Sequence, residues 1–269
     1  MGTLNTRGFT IIETMLFLAI SGVLIVAMIA GTGASINIQR YRDATETFKS
    51  LLQNQYGALS SVDNDRTNNW SCSPLAASEE GGNEARGQSD CVLLGRLVTV
   101  VNSDISIYNV LGRPLTNSGP AINDIAELSN NYTLNVSTVS EDKQVMEWGT
   151  QIAWNRLDPP NAARTNTTPR ELSMLFIRSP SSGQIYTFHS DIVDGGPSPS
   201  TIKSMLVSDA TVPGRAERTI CIESNGLFVS ADLSVYVSAY ATGPSSIETQ
   251  SNSFIADPTS PRENHGIQC

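Results

Sequence analysis

The pattern of apolar and polar residues near the start of the chain predicts one long helix with two different halves. From Phe9 to Ala34 the residues are almost all apolar, and Thr14–Gln39 contains no charged side chain. From Tyr41 onward, apolar residues recur every three or four positions, which is the spacing of one face of an α-helix. We therefore expect a helix over Phe9–Leu59 that is apolar all round in its first half and amphipathic in its second.

The apolar half of this helix is long enough to cross a membrane. Phe9–Ala34 spans a hydrocarbon core of about 30 Å at a rise of about 1.5 Å per residue. Glu13 interrupts the apolar run, and an ionised carboxylate in hydrocarbon costs about 2.5–3.5 kcal/mol, so it needs a partner. A removable signal peptide is the alternative, with Ala27–Ala30 as a small-residue cleavage site. The amphipathic continuation favours a helix that is retained, because a discarded signal needs none.

The remainder of the chain, residues 60–269, predicts an antiparallel β-rich domain and hence an α+β fold. Polar segments rich in glycine and proline separate the apolar runs, and two turns, Ser179–Gly183 and Ser224–Gly226, predict hairpins. Met146–Leu157 is ambiguous, and its Trp148 and Trp154 are expected to fill the core. The predicted strands are Cys91–Val101, Ile105–Leu111, Tyr132–Val139, Leu172–Arg178, Gln184–Phe188, Thr219–Glu223, Leu227–Ala231 and Ser234–Ala239.

Composition limits the classes of partner. The chain has 269 residues, a formal net charge of −9 and few lysines. On average such a chain is repelled by nucleic acid and by anionic lipid headgroups. About 210 residues follow the helix, which is enough for one well-buried core.

Four cysteines, behind a segment that resembles an export signal, are expected to form disulfides. Three pairings are open. We favour Cys72–Cys91 and Cys221–Cys269 because each closes a local segment of the chain.

Candidate chemistry is sparse, and we predict no catalytic residue, no metal and no cofactor. His189-Ser190-Asp191 contains the residue types of a catalytic triad, but neighbours in sequence do not create triad geometry, and a surface turn is the better interpretation. Asp63-Asn64-Asp65 begins like a calcium loop, but Asn68 and Pro74 occupy the positions of its glycine and its glutamate. A looser calcium site at Asp191 and Asp194 is a weak alternative.

The segment Gly8-Phe9-Thr10-Ile11-Ile12-Glu13, preceded by Arg7, resembles the processing site of type IV pilins and pseudopilins. The resemblance implies that a prepilin peptidase and methyltransferase cuts between Gly8 and Phe9 and methylates the new Phe9 amine. It also implies that Glu13 is retained and pairs with the Phe9 amine of a neighbouring subunit, and it fits a disulfide-closed C-terminal region. The implied organisation is a leader at 1–8, a transmembrane and assembly helix at 9–34, an amphipathic helix at 35–59 and an extracytoplasmic domain at 60–269.

The same resemblance implies a structural protein, not an enzyme. We expect a subunit of a type IV pilus-like filament, and its large domain and long loops favour a minor pilin over a bulk subunit. The implied partners are other pilin subunits, the assembly machinery and, before assembly, the lipid of the inner membrane. Nucleic acid or a host surface is compatible with this function but not indicated. A type II secretion pseudopilin is one alternative. A secreted binding protein or enzyme with a removable signal peptide is the other.

Overall fold

A computed structural model describes residues 10–61, 70–82, 84–85, 87–153, 171–190, 198–206, 215–225 and 232–252. Its first element is a single helix, α1 (Ile11–Ser60), of 50 residues. Antiparallel sheets and two short helices follow. The predicted α+β class and the long N-terminal helix are confirmed, with the bounds of the helix shifted by two residues at its start and by one at its end.

The strands form three sheets, and every pair in them is antiparallel. The elements after α1 are β1 (Trp70–Cys72), β2 (Ser78–Glu80), β3 (Val92–Val101), β4 (Asp104–Pro114), α2 (Asp124–Asn130), β5 (Tyr132–Val145), β6 (Gln151–Ala153), β7 (Glu171–Arg178), β8 (Ile185–Ser190), α3 (Pro199–Met205), β9 (Arg218–Glu223), β10 (Asp232–Val237) and β11 (Ile247–Asn252). The order of the five-stranded sheet is β5-β4-β3-β7-β8, that of the four-stranded sheet is β11-β10-β9-β6, and β1 pairs with β2 alone.

The five-stranded sheet is buried on both faces, which explains the continuous apolar run of its strand β7. Met174 and Phe176 point into a cluster shared with α1 and the four-stranded sheet. Leu175 and Ile177 alternate with them and point into a second cluster, which α2 and α3 cover. A strand that is buried on both faces loses the alternation of apolar and polar residues that a half-exposed strand shows.

The second half of α1 lies between the two large sheets and belongs to the first cluster. Tyr41, Phe48, Leu52 and Tyr56 are each no more than 2% exposed. The ring of Tyr56 meets that of Phe176 edge to face, with 5.1 Å between their centroids. The buried residues follow the helical spacing in the sequence, so the amphipathic interpretation of this half is correct.

Polar contacts fix α1 against the four-stranded sheet at two levels. The Tyr41 hydroxyl donates to the Ile222 carbonyl oxygen at 2.6 Å and accepts from the Leu233 amide at 2.8 Å. Ile222 and Leu233 lie opposite each other on β9 and β10, so one side chain joins the helix to two strands. Further along α1, the side-chain amide nitrogen of Gln53 donates to the carbonyl oxygens of Pro244 at 3.0 Å and Ile247 at 2.9 Å.

The hairpins agree only in part with the sequence-based predictions. Ser179–Gly183 does connect two paired strands, and the Ser179 amide donates to the Gln184 carbonyl oxygen at 2.8 Å. The other hairpin was predicted to pair Thr219–Glu223 with the strand after the Ser224–Gly226 turn, whereas β9 pairs with β10 on one side and with β6 on the other. The partner predicted for it, Leu227–Ala231, lies outside the described residues.

Two short helices were not predicted. For α2, the Asn123 side chain accepts from the Ala126 amide at 2.7 Å. For α3, the Ser198 side chain caps the first turn and Pro199 occupies its first position. Each helix has seven residues, which is too short for a helical period to stand out in the sequence.

The structure contains a disulfide between Cys72 and Cys91, with 5.5 Å between their Cα atoms. It joins the β1–β2 hairpin to the residue before β3. Cys221 is buried in β9 and is also disulfide-bonded. Its predicted partner, Cys269, lies outside the described residues, so that pairing stays a prediction.

We expect Tyr41→Phe to lower the free energy of unfolding by about 1–3 kcal/mol, because it leaves a buried carbonyl oxygen and a buried amide without their partner. Chemical denaturation measures the loss. Tyr236→Phe is the matched control, since its hydroxyl donates to Glu217 at an exposed site, and it should change stability by less than about 0.5 kcal/mol. Equal effects of the two substitutions would contradict the role assigned to Tyr41.

Tyr56 gives α1 a pH-dependent contribution to stability. Burial raises the pKa of this phenol from 10.0 to about 12, against a smaller opposing effect of its 2.7 Å hydrogen bond with Thr187. The unfolded chain therefore ionises first, so the contribution is complete below pH 10 and is lost as the pH rises towards about 12. A shift of this size corresponds to roughly 3 kcal/mol.

The test is the free energy of unfolding of wild type and of Tyr56→Phe between pH 9 and pH 12. Other tyrosines also titrate in this range, so the difference between the two proteins isolates Tyr56. We expect the stability of wild type to fall more steeply with pH than that of the variant. Parallel curves would show that Tyr56 is not protected from ionisation in the folded protein.

Candidate functional site

The first half of α1 presents apolar side chains outward along its whole length. Apart from the half-buried Ser21, every described side chain between Ile11 and Ile36 is exposed. Exposure reaches 78% for Ile12 and is 70% for Phe17 and Val23. The helix is long and apolar enough to cross a membrane. A contiguous apolar surface of this size indicates contact with lipid or with other apolar helices.

The helix begins with a cap that involves two residues of the predicted processing segment. The Thr10 hydroxyl accepts from the Glu13 amide at 3.3 Å, and Glu13 lies in the first turn with its side chain exposed. Thr-x-x-Glu is the pattern of a capping box, and a carboxylate near the first turn also interacts favourably with the helix dipole. The Thr10 cap is a local structural feature that our sequence interpretation missed, although the spacing of Thr10 and Glu13 signals it.

The other predicted members of the processing site, Gly8 and Phe9, lie outside the described residues. The proposed pairing of a Phe9 amine with Glu13 joins two copies of the chain, so it stays a prediction. The structure places Glu13 at the exposed start of α1, where a neighbouring molecule can reach it.

The polar groups in the apolar half are suited to surroundings without water. The Thr14 hydroxyl donates to the Ile11 carbonyl oxygen at 2.9 Å, and that of Thr32 lies 3.0 Å from the carbonyl oxygens of Met28 and Ile29. These hydroxyls keep a hydrogen bond inside the helix when it enters hydrocarbon, so they add little to the cost of burial.

Gly22, Gly31 and Gly33 lie in this half, and α1 continues through all three. A Cβ atom built on any of them meets nothing within 4 Å in the described part of the chain. The monomer therefore does not need glycine there for its own packing. Close approach of a neighbouring helix and a local bend on assembly both stay open as reasons for the three glycines.

The surroundings of α1 change at residues 40 and 41. Arg40 is the first charged residue after the apolar half, and Tyr41 is the first residue of the helix that is buried in the core. The Arg40 guanidinium carbon lies 4.7 Å from the ring centroid of Trp148. We call this pair, Arg40 with Trp148, the junction.

Trp148 is half exposed at 50%, so the prediction that it fills the core was wrong. Trp154 lies outside the described residues. The backbone of Trp148 is left-handed, with φ 58° and ψ 22°, which costs a bulky residue about 1–2 kcal/mol. Its neighbours Met146 and Thr150 are 5% and 0% exposed, and they hold the turn that directs the indole outward.

The junction and the disulfide lie at opposite ends of β3. The turn that carries Trp148 is hydrogen-bonded to the residues after β3, through Met146 N to Ser103 O at 2.8 Å and Ile152 N to Asn102 O at 3.1 Å. Cys91 precedes β3, whose 10 residues extend about 33 Å. The end of the domain that carries the junction, here called the near end, therefore lies next to the apolar half of α1. The Cys72–Cys91 bridge lies at the opposite end, here called the far end.

The residues considered for chemistry do not form a site in the described part of the chain. His189 lies in β8, is 8% exposed and has its Nε2 atom 3.0 Å from the Ala216 carbonyl oxygen, so its assignment to a surface turn was wrong. Asp191, Asp194 and Asp63–Asp65 lie outside the described residues. Among those that are described, no three His, Cys, Asp or Glu side chains come close enough together to hold a metal ion.

Comparison of the chain with family models, with curated proteins and with solved structures gave no match.

Proposed function

We propose that this protein is a structural subunit of a type IV pilin-like filament, anchored and assembled through α1. The observation that carries the proposal is the division of one continuous helix into an exposed apolar half and a half buried in a β-rich core. The first half provides a surface that lipid or neighbouring helices must cover. The second half attaches that surface to a folded domain.

The buried half of α1 favours this function over that of a secreted protein with a removable signal. Tyr41, Leu52 and Tyr56 fill the space between two sheets, so the domain needs the helix for its own core. The helix runs without interruption from Ile11 into that core. A signal peptide has no need of such a connection, because it is cut off from the domain that follows.

The position of Glu13 gives the proposal its assembly step. In a membrane-anchored monomer, Glu13 lies two residues from the start of α1 and can remain near the headgroup layer. In a filament the same residue becomes surrounded by the apolar halves of neighbouring helices. A carboxylate in such surroundings needs an opposite charge, and the Phe9 amine of a neighbouring subunit supplies one.

The proposed sequence of events is insertion into the inner membrane, removal of residues 1–8, and entry into an extracellular filament. Within this class we propose a minor pilin. A type II secretion pseudopilin uses the same helix, and the two differ in whether the assembled subunit is recovered from filaments sheared off the cell surface.

Gly8→Val should block removal of the leader, because a branched side chain crowds the cleft of a peptidase that accepts glycine. The expected product is a membrane-bound precursor that retains residues 1–8 and does not enter filaments. Gel mobility beside a marker chain that begins at Phe9 detects it. Normal shortening of the Gly8→Val chain would contradict processing at this site.

Glu13→Ala should separate membrane insertion from filament assembly. The substitution removes a charge from the end of the membrane-spanning segment and adds no polar group, so the monomer should insert at least as well as wild type. Its amount in sheared filaments should nevertheless fall, because the partner of the Phe9 amine is gone.

Asp43→Ala is the matched control, since it removes an exposed carboxylate from the same helix beyond the apolar half. Both variants are quantified in membrane and sheared-filament fractions. The control should resemble wild type in each. Equal incorporation of Glu13→Ala and wild type would show that Glu13 does not guide assembly.

A further inference from the structure

The junction has a combination of properties that the core of the domain does not explain. An indole ring is held in a left-handed turn, is half exposed and stacks on a guanidinium group. Tryptophan normally contributes more to stability when it is buried, and left-handed backbone is rare for a bulky aromatic residue. A turn that keeps such a residue outside the core indicates that the indole contacts a surface outside the domain.

The position of the junction along α1 identifies that surface. From Ile11 to Arg40 the helix rises about 43 Å, and a bilayer with both headgroup layers is about 40–45 Å thick. If Ile11 lies at the inner headgroup layer, Arg40 lies in the outer one. The last large exposed apolar residue, Ile36, is about 6 Å before Arg40. The junction thus begins where the apolar surface of the helix ends.

Both side chains have the chemistry that this layer selects. Tryptophan is enriched where hydrocarbon meets water, because its ring is apolar and its N–H needs a polar partner. Arginine can lay its apolar stem along the membrane and direct its charge to a phosphate. Val145, 63% exposed at the end of β5, lies three residues before Trp148 and adds apolar surface.

We propose that Arg40 and Trp148 form a docking surface for the outer headgroup layer of the membrane that α1 spans, and that this contact sets how the domain sits on the membrane before assembly. The proposal rests on the membrane anchoring stated above. The charged residues around the junction are not in basic excess, since Asp43, Glu147 and Asp104, which pairs with Val145, accompany Arg40 and Arg42. The lipid we assign is therefore zwitterionic phospholipid, which matches an acidic chain that anionic headgroups repel.

The test measures the tryptophan fluorescence of the full chain in phosphatidylcholine vesicles, in which bromine on the acyl chains quenches tryptophans in contact with it. Three preparations are compared: bromine close to the headgroup, bromine close to the terminal methyl, and no bromine. Flotation of the vesicles first establishes that the protein is anchored. The chain has three tryptophans, so the contribution of Trp148 is the difference between wild type and Trp148→Phe.

Trp70→Phe is the matched control, because Trp70 lies in β1 at the far end of the domain. We expect wild type and Trp70→Phe to lose intensity with bromine close to the headgroup, and less with bromine close to the methyl. In Trp148→Phe most of that quenching should be absent, although the variant should float with the vesicles as well as wild type does. Since Trp148 is half exposed, this variant should keep the thermal unfolding transition of wild type.

Two outcomes would overturn the proposal, and they differ in what else they overturn. Equal quenching of wild type and Trp148→Phe in chains that float would reject the docking surface and leave the anchor intact. Failure of wild type to float would reject membrane anchoring through α1 and the docking surface with it. Shielding of Trp148 only in assembled filaments would assign the junction to a second copy of the chain and would also reject lipid docking.

Discussion

One unbroken helix, α1, is exposed in its first half and buried in the core in its second. The packing of the domain is organised around the change between these two halves. Up to Ile36 every described side chain of α1 except Ser21 is exposed. From Tyr41 they form part of the core of the β-rich domain. The Tyr41 hydroxyl marks this change, because it bonds the backbone of two strands directly beyond the last exposed turn.

The second half of α1 could be predicted from sequence because its signal is local. Residues three or four positions apart share a helix face, so Tyr41, Phe48 and Leu52 can be assigned to a buried stripe without any knowledge of the sheets. Leu172–Arg178, most of β7, was also predicted as a strand. The sequence could not show what covers the two faces of β7, because those contacts join distant segments of the chain. One face packs against α1, and the other packs against α2 and α3.

The wrong predictions concern features that a local sequence signal cannot reveal. The turn at Asn225 favoured a tight hairpin, but the position of β9 is set by its pairing with β6 and β10. Trp148 was expected in the core because of its size, whereas its left-handed turn keeps it half exposed. The following Gly149, also at positive φ, was the local sign of a turn. At the candidate site, the Thr10–Glu13 cap was readable from spacing, while the contact between Arg40 and Trp148 was not.

On the proposed function, the apolar half of α1 remains part of the mature protein, where lipid or neighbouring subunits cover it. The intact mass of the protein purified from the membrane fraction distinguishes this from removal of a signal peptide. We expect a chain that begins at Phe9, retains Glu13 and carries one methyl group on its terminal amine. A mass that corresponds to a chain beginning near Ala30–Ala34 would contradict it, because the apolar half would then be a discarded signal.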